Sequence, residues 1–182
     1  MIILMGATGS GKSLQSRLLA DECGYTWIST GKILRSLMTS KSRQEMLAGE
    51  LVSDQELIQM LSQKFESIKP KQLVVLDGFP RTLAQAEWLI EWAKSSDFEI
   101  TAIFNLEVAH AVVRNRLIKR GRFDDTETAI KQRFKEFELV TQPIIKLLKD
   151  EGYRIFNINA EGNPETIHQD IIKAINGISI NN

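Results

Sequence analysis

A chain of 182 residues, 43% hydrophobic and 25% charged, can bury one core of ordinary size, so it needs neither a disulfide framework nor a structural metal. Lysine plus arginine balances aspartate plus glutamate at 23 each, which argues against a general binder of nucleic acid or anionic membrane and makes any basic surface local. The single cysteine, Cys23, has no internal partner, and with only His110 and His168 beside it the chain lacks the ligands of a cysteine-rich zinc site; a reduced, cytoplasmic setting without zinc is expected.

The run Met1 to Met5 has no basic flank and is too short for the core of an export signal. No window approaches the roughly 20 apolar residues of a membrane span, so a soluble protein is expected. Strand-type apolar runs follow in order at Ile2–Met5, Tyr25–Ile28, Leu73–Leu76, Thr101–Leu106 and Arg154–Ile158. Between them lie segments with helical spacing, among them Leu14, Leu18 and Leu19 and, further on, Ala86, Leu89, Ile90 and Ala93. Strands alternating with helices predict an α/β fold, a five-stranded parallel sheet covered on both faces in three α/β/α layers.

Two stretches break the alternation. Ser36–Lys69 reads as a small helical insertion, and Lys119–Asp125 as a tight basic loop. Both are appendages of one domain spanning 1–182, with a core of about 1–35, 70–118 and 126–176, an insertion of about 36–65 and a basic loop of about 119–125. Asp124 with Glu127 has the spacing of a capping pair that opens a long helix, which Pro143 is expected to kink and Gly152 to end. Ile178–Asn182 reads as a loose tail, and Cys23, His110 and His168 as structural residues.

Directly after the first strand, Gly6-Ala7-Thr8-Gly9-Ser10-Gly11-Lys12-Ser13 fits G-x-x-x-x-G-K-[ST] in full. The glycines let backbone N–H groups curl around phosphates at the positive end of the next helix. Lys12 reaches the outer phosphates, and the Ser13 hydroxyl suits Mg²⁺. Such a loop occurs in several NTPase classes. Here neither N-K-x-D, which reads guanine, nor the L-S-G-G-Q of transporter ATPases accompanies it. Asp77 ends a buried-type strand, where an acid is costly without a cation to serve; orienting Mg²⁺ through water is the expected role.

Three further segments follow in order: Ile28-Ser29-Thr30-Gly31-Lys32-Ile33-Leu34-Arg35, Gly49-Glu50-Leu51-Val52-Ser53-Asp54, and Leu76-Asp77-Gly78-Phe79-Pro80-Arg81-Thr82-Leu83-Ala84-Gln85. With these the chain resembles the adenylate kinases, nucleoside monophosphate kinases of short-lid type, from Met1 to about Gly162. Their patterns are I-S-T-G-D-x-L-R, G-x-L-V-[TS]-D and D-G-F-P-R-T-x-x-Q. The resemblance implies a P-loop NTPase fold, reversible phosphoryl transfer between ATP and AMP to give two ADP with Mg²⁺, and a monomer. It makes 36–65 the monophosphate-binding insertion and 119–125 the lid.

By the same resemblance, Gly9, Ser10, Gly11, Lys12, Ser13 and Leu14 of the loop bind ATP, with Arg116 over the base, Arg120 on the phosphates and Gly162 near the adenine. Thr30, Arg35, Arg81 and Gln85 bind AMP together with backbone at Val52 and Gly78. Arg122 and Arg133 converge with Lys12, Arg81 and Arg120 on the transferred phosphate, while Asp124 and Asp125 brace the lid. The chemistry agrees: two arginines grip a phosphate through bidentate forks, and a glutamine amide matches an adenine edge. Arg116 and Arg120, four residues apart on one helix face, repel until an anion lies between them.

The chain departs from the family in four places. Lys12-Ser13-Leu14 replaces the family's K-G-T, Lys32 stands where it has an acid, Arg120-Gly121-Arg122 shortens the lid, and Ser36–Glu50 is a few residues short. The short lid is expected to exclude water incompletely and to allow some ATP hydrolysis. Two other readings are a UMP/CMP-type or other monophosphate kinase and a nucleotide-binding regulator with weak transfer. Ser29-Thr30-Gly31 and Pro80-Arg81-Thr82, where UMP/CMP kinases have S-A-G and P-R-N, favour adenine.

Overall fold

In the computed structural model the inner strands of the sheet are buried on both sides, because helices cover both of its faces. The structure describes residues 1–37, 53–69, 71–121 and 126–179, with side chains for all of these except 35–37 and 179. The elements run β1 (Ile2–Gly6), α1 (Lys12–Cys23), β2 (Thr26–Ser29), α2 (Thr30–Leu37), α3 (Asp54–Glu66), β3 (Val74–Asp77) and α4 (Leu83–Ser95). Then come β4 (Ala102–Glu107), α5 (His110–Arg120), α6 (Glu127–Glu136), a π-helical turn (Phe137–Thr141), α7 (Gln142–Asp150), β5 (Ile155–Asn159) and α8 (Pro164–Ser179).

The sheet is parallel throughout, in the order β2-β3-β1-β4-β5. Successive side chains alternate between its faces. Met1, Ile3 and Met5 join the core under α3, α4 and α7 with Leu61, Leu89, Ile144 and Leu148. Ile2 and Leu4 join the opposite core with Leu19 of α1 and Ile167 and Ile171 of α8. The expected three layers and five strands are therefore present. Each strand continues one residue beyond the expected end, to Gly6, Ser29, Asp77, Glu107 and Asn159. Those last residues are glycine or polar, so the hydrophobic pattern stops before the backbone ladder does.

Because β1 lies between β3 and β4, connections leave it on opposite sides and open a crevice at the carboxyl ends of the strands. Residues 38–52 and 122–125, which hold most of the expected insertion's first half and the tip of the lid, lie outside the described residues. α3, the second half of that insertion, packs into the main core: Leu57 and Leu61 are buried, and Phe65 stacks on Trp92 with ring centroids 4.3 Å apart. Arg114 of α5 pairs with Glu127 of α6 and ties together the two helices that flank the basic loop.

Two expectations are corrected here. The hydroxyl of Thr126, not Asp124, caps α6 by accepting from the Ala129 N–H at 3.2 Å; Asp124 itself lies outside the described residues. The tail begins later than expected, since α8 runs to Ser179 and buries Ile178 against the sheet. An isoleucine at helical spacing from Ile171 and Ile175 continues the apolar stripe.

Near Pro143, where the sequence predicts a kink, the helical hydrogen-bond pattern changes. Proline has no N–H to donate, and its ring needs clearance from the carbonyl four residues back. The chain widens into the π turn just ahead of it, where the Gln142 N–H reaches the carbonyl of Phe137. Gly152, at φ 85°, closes α7 as expected: its N–H donates to Lys149 O at 3.0 Å, and Tyr153 N–H to Leu148 O at 3.1 Å.

Candidate active site

The loop between β1 and α1 turns on glycines in the left-handed region, Gly9 at φ 90° and Gly11 at φ 107°. Gly11 occupies the N-cap of α1 and has no side chain to cap it, so the first N–H groups of the helix face the loop's interior. Lys12 folds back over this loop and donates from Nζ to Gly6 O at 2.7 Å and Ala7 O at 2.8 Å. Burial pushes its pKa down from 10.5 to about 8; Asp77 opposes the shift, while the charges of Arg81 and Arg120 add to it.

That depression has a consequence with a definite sign. Between about pH 8 and 10.5 the unfolded chain holds a proton on Lys12 that the folded chain does not, so this group makes stability rise with pH across that window. A polyphosphate in the loop favours the ammonium. At pH 8.5, ATP binding is therefore expected to take up protons, visible as a buffer-dependent heat in titration calorimetry, and to take up none through Lys12 at pH 6.5. Buffer-independent heats at pH 8.5 would show that Lys12 does not change protonation on binding.

Beside the loop, Ser13 Oγ donates to Asp77 Oδ2 at 2.6 Å, and Ser29 Oγ donates to the same oxygen at 3.1 Å. This hydroxyl and carboxylate form a hard-oxygen pair of the kind Mg²⁺ takes when phosphates and waters complete its shell. Among the described residues no three His, Cys, Asp or Glu side chains cluster as metal ligands.

Two cavities adjoin here. One, of about 310 Å³, is lined by Gly9, Gly11, Lys12, Ser13, Leu14, Asp77, Arg81, Arg116, Arg120 and Arg133. The other, of about 250 Å³, is lined by Thr30, Leu34, Asp54, Leu57, Gly78, Phe79, Arg81, Thr82 and Gln85, and again by Lys12 and Arg133. Lys12, Gly78, Arg81 and Arg133 belong to both. Of the residues expected on the AMP side, Thr30, Gly78, Arg81, Gln85 and Arg133 line the second cavity. Thr30 Oγ1 donates to Gly78 O at 2.8 Å, and Arg81 Nε donates to the same carbonyl at 2.8 Å. Gly78 has φ 81°, and a Cβ there would stand 2.9 Å from Thr30 Oγ1 and 3.1 Å from Arg81 Nη2, so only glycine permits this packing.

Arg116 lines the first cavity together with Arg120, and backbone carbonyls hold it there. Its guanidinium donates to the carbonyls of Ala160 at 2.8 Å, Glu161 at 3.1 Å and Ser10 at 3.4 Å. Three carbonyl dipoles therefore meet this charge, and Arg116 fixes the loop that leads to Gly162 against the phosphate loop. Gly162 lines neither cavity, while Ser10 is buried beneath the loop. Of Arg35 the structure describes only the backbone, within α2. Val52, Arg122, Asp124 and Asp125 lie outside the described residues.

Lys32 stacks its ammonium 3.4 Å from the centre of the Trp27 ring, so its reversed charge is spent on β2 and lines neither cavity. Cys23 is half-buried at the end of α1, His110 stacks on Phe134 at 4.0 Å, and His168 is buried 3.4 Å from Glu22; none of the three lines either cavity. Asp54, Thr82 and the π turn, which brings Phe137, Val140 and Thr141 to the wall of the second cavity, are functional positions that the motifs alone do not single out. Ser53 followed by Glu56, a capping-box spacing, was the signal that sets Asp54 at the first turn of a helix.

A family model described as adenylate kinase matches residues 4–153. The chain is 36% identical over 184 aligned residues to a protein named adenylate kinase from Bacteroides fragilis strain YCH46, covering 96% of this chain and 97% of that one. It is 35% identical to an adenylate kinase of Corynebacterium urealyticum (96% and 98% covered) and 34% identical to one of Prochlorococcus marinus strain AS9601 (93% and 95% covered). Among the described residues no helix is long and apolar enough to cross a membrane. Since the family model spans most of the sequence and these relatives align with it nearly end to end, the chain belongs to the adenylate kinase family.

Proposed function

We propose that the two cavities hold ATP and AMP end to end and that the protein, an ATP-dependent phosphotransferase, interconverts them with two ADP. One observation carries this reading: a phosphate loop opens into one cavity, and a second cavity meets it at shared cations, Lys12, Arg81 and Arg133. ATP lies with its triphosphate on the α1 N-terminus and AMP with its phosphate on Arg81, so the attacking oxygen and the γ-phosphorus face each other.

Transfer between two phosphates asks little covalent chemistry of a protein; alignment and neutralisation of charge do the work. Lys12 follows the β- and γ-phosphates, while Arg81, Arg120 and Arg133 surround the group in flight. Arg35 and Arg122 are assigned to the same cage, and Asp124 and Asp125 to bracing the lid. Arg116 orders the loop at Ala160–Gly162 against which the ATP base rests, and Thr30 and the Gly78 backbone shape the AMP side. Ser13 and, through water, Asp77 would hold Mg²⁺, which supplies charge neutralisation on the phosphate oxygens. The protein acts as a cytoplasmic monomer with core, insertion and lid divided as expected from its sequence.

The test is ADP formation by purified protein from ATP, AMP and Mg²⁺, with UMP, CMP and GMP as alternative acceptors. ADP formed fastest with AMP supports the reading. Preference for a pyrimidine monophosphate would reassign the acceptor, and nucleotide binding without turnover would overturn the activity.

A further inference from the structure

Asp54 stands at the first turn of α3 and reaches across the second cavity. Its carboxylate accepts two short hydrogen bonds, from Thr82 Oγ1 at 2.7 Å and from Gln85 Nε2 at 2.6 Å. The other end of the Gln85 amide is also held, since Oε1 accepts the Arg81 N–H at 2.7 Å. A carboxylate only accepts and a backbone N–H only donates, so these partners settle which end of the amide is nitrogen. Gln85 is 3% exposed and lines the cavity, with one N–H and one carbonyl lone pair still to offer.

Asp54 is itself held in place. Ser53 and Glu56 bond reciprocally at the head of α3, with the Glu56 N–H donating to Ser53 Oγ at 3.3 Å and the Ser53 N–H to Glu56 Oε2 at 3.1 Å. Leu57 and Leu61 are buried one and two turns on, and the far end of the helix is pinned by Phe65 on Trp92. A carboxylate on such a helix imposes its geometry on the amide.

A purine edge has a sense. In a 6-aminopurine the exocyclic N6 donates and N1 accepts, whereas in a 6-oxopurine O6 accepts and N1 donates. An amide free to turn over satisfies either, while one clamped at both ends offers its donor and acceptor in one order. We propose that Asp54 is a positioning residue that fixes the sense of the Gln85 amide and so sets a preference for 6-amino over 6-oxo purine monophosphates. This rests on the reading that AMP occupies the second cavity with its base at Gln85.

The test compares AMP and IMP as acceptors for the wild type, Asp54→Asn, Gln85→Ala and the double variant. Asparagine keeps the shape but can donate or accept at either end, so the amide loses one of its two clamps and only the Arg81 N–H still opposes its turning over. For Asp54→Asn the KM for AMP is expected to rise about tenfold and the AMP-over-IMP ratio of kcat/KM to fall about tenfold, while kcat stays within about twofold and the KM for ATP is unchanged. Removal of a negative charge near a phosphate site would by itself lower the KM for AMP, so the expected rise separates positioning from simple electrostatics.

In the Gln85→Ala background, Asp54→Asn is expected to add less than about twofold, because its effect runs through the amide. An unchanged AMP-over-IMP ratio, a loss confined to kcat, or the same penalty with and without Gln85 overturns the proposal. If Gln85→Ala leaves the KM for AMP unchanged, the base does not meet Gln85 and the proposal fails although the kinase reading survives; wild-type protein that makes no ADP fails both. Should thermal melts show Asp54→Asn unfolded, Asp54→Glu keeps the charge but displaces the carboxylate, and the ratio is expected to fall in the same direction. An undiminished ratio in folded Asp54→Glu would count against the proposal.

Discussion

Lys12→Ala lowers kcat for ADP formation by about a hundred- to a thousandfold, while the protein remains folded and its thermal midpoint is unchanged or raised. The two halves of this expectation share one cause. In the folded chain the Lys12 ammonium is buried, held by the carbonyls of Gly6 and Ala7, and its proton is loosened to a pKa of about 8. Folding carries the desolvation of that cation, so removing it relieves the native state as much as it harms it. Catalysis has no substitute, since Lys12 is the lysine that both cavities share. Initial rates in a coupled assay, with melting curves of the same preparations, check both halves. An unchanged kcat would remove Lys12 from the reaction.

Arg81→Ala is expected to cut kcat/KM for AMP by about two to three orders of magnitude and to leave the KM for ATP within about threefold. Arg81 follows β3 directly through Gly78-Phe79-Pro80, and its Nε is already committed to the Gly78 carbonyl at 2.8 Å. That bond aims the rest of the guanidinium at the junction of the two cavities. Arg81→Lys should restore little, because an ammonium cannot both hold the Gly78 carbonyl and present a planar fork to a phosphate. Rates against AMP at saturating ATP, then against ATP at saturating AMP, separate the two sides. A defect confined to ATP would place Arg81 on the wrong nucleotide.

The framework was legible because its rules are local. Apolar runs such as the one that ends at Leu76 mark buried strands in a chain that alternates them with helices, although Leu73 at its head is exposed outside β3, and Gly6 to Ser13 constrains backbone as well as side chains. What escaped was set by tertiary neighbours. Lys32 reads as a cation within a nucleotide motif, and only the packing of α2 beside β2 reveals that it rests on Trp27. Arg116 has the spacing to pair with Arg120, yet the carbonyls that hold it arrive from a loop more than forty residues away in sequence. Asp54 belongs to a motif in which the resemblance assigns only the backbone at Val52. Its importance lies in a contact with Gln85, 31 residues further on.

The π turn at Phe137–Thr141 sets the angular phase between the two helices it joins. An α-helix advances about 100° per residue, so one residue more or fewer in a turn rotates everything beyond it by that amount. Ile144 and Leu148 of α7 are anchored in the core beneath the sheet, and Arg133 of α6 must point at the junction of the cavities. The surplus residue allows both aims to be met by a single continuous rod. Deleting one residue there would straighten the rod and swing Arg133 around it, out of reach of the phosphates, without touching a single residue of the phosphate loop.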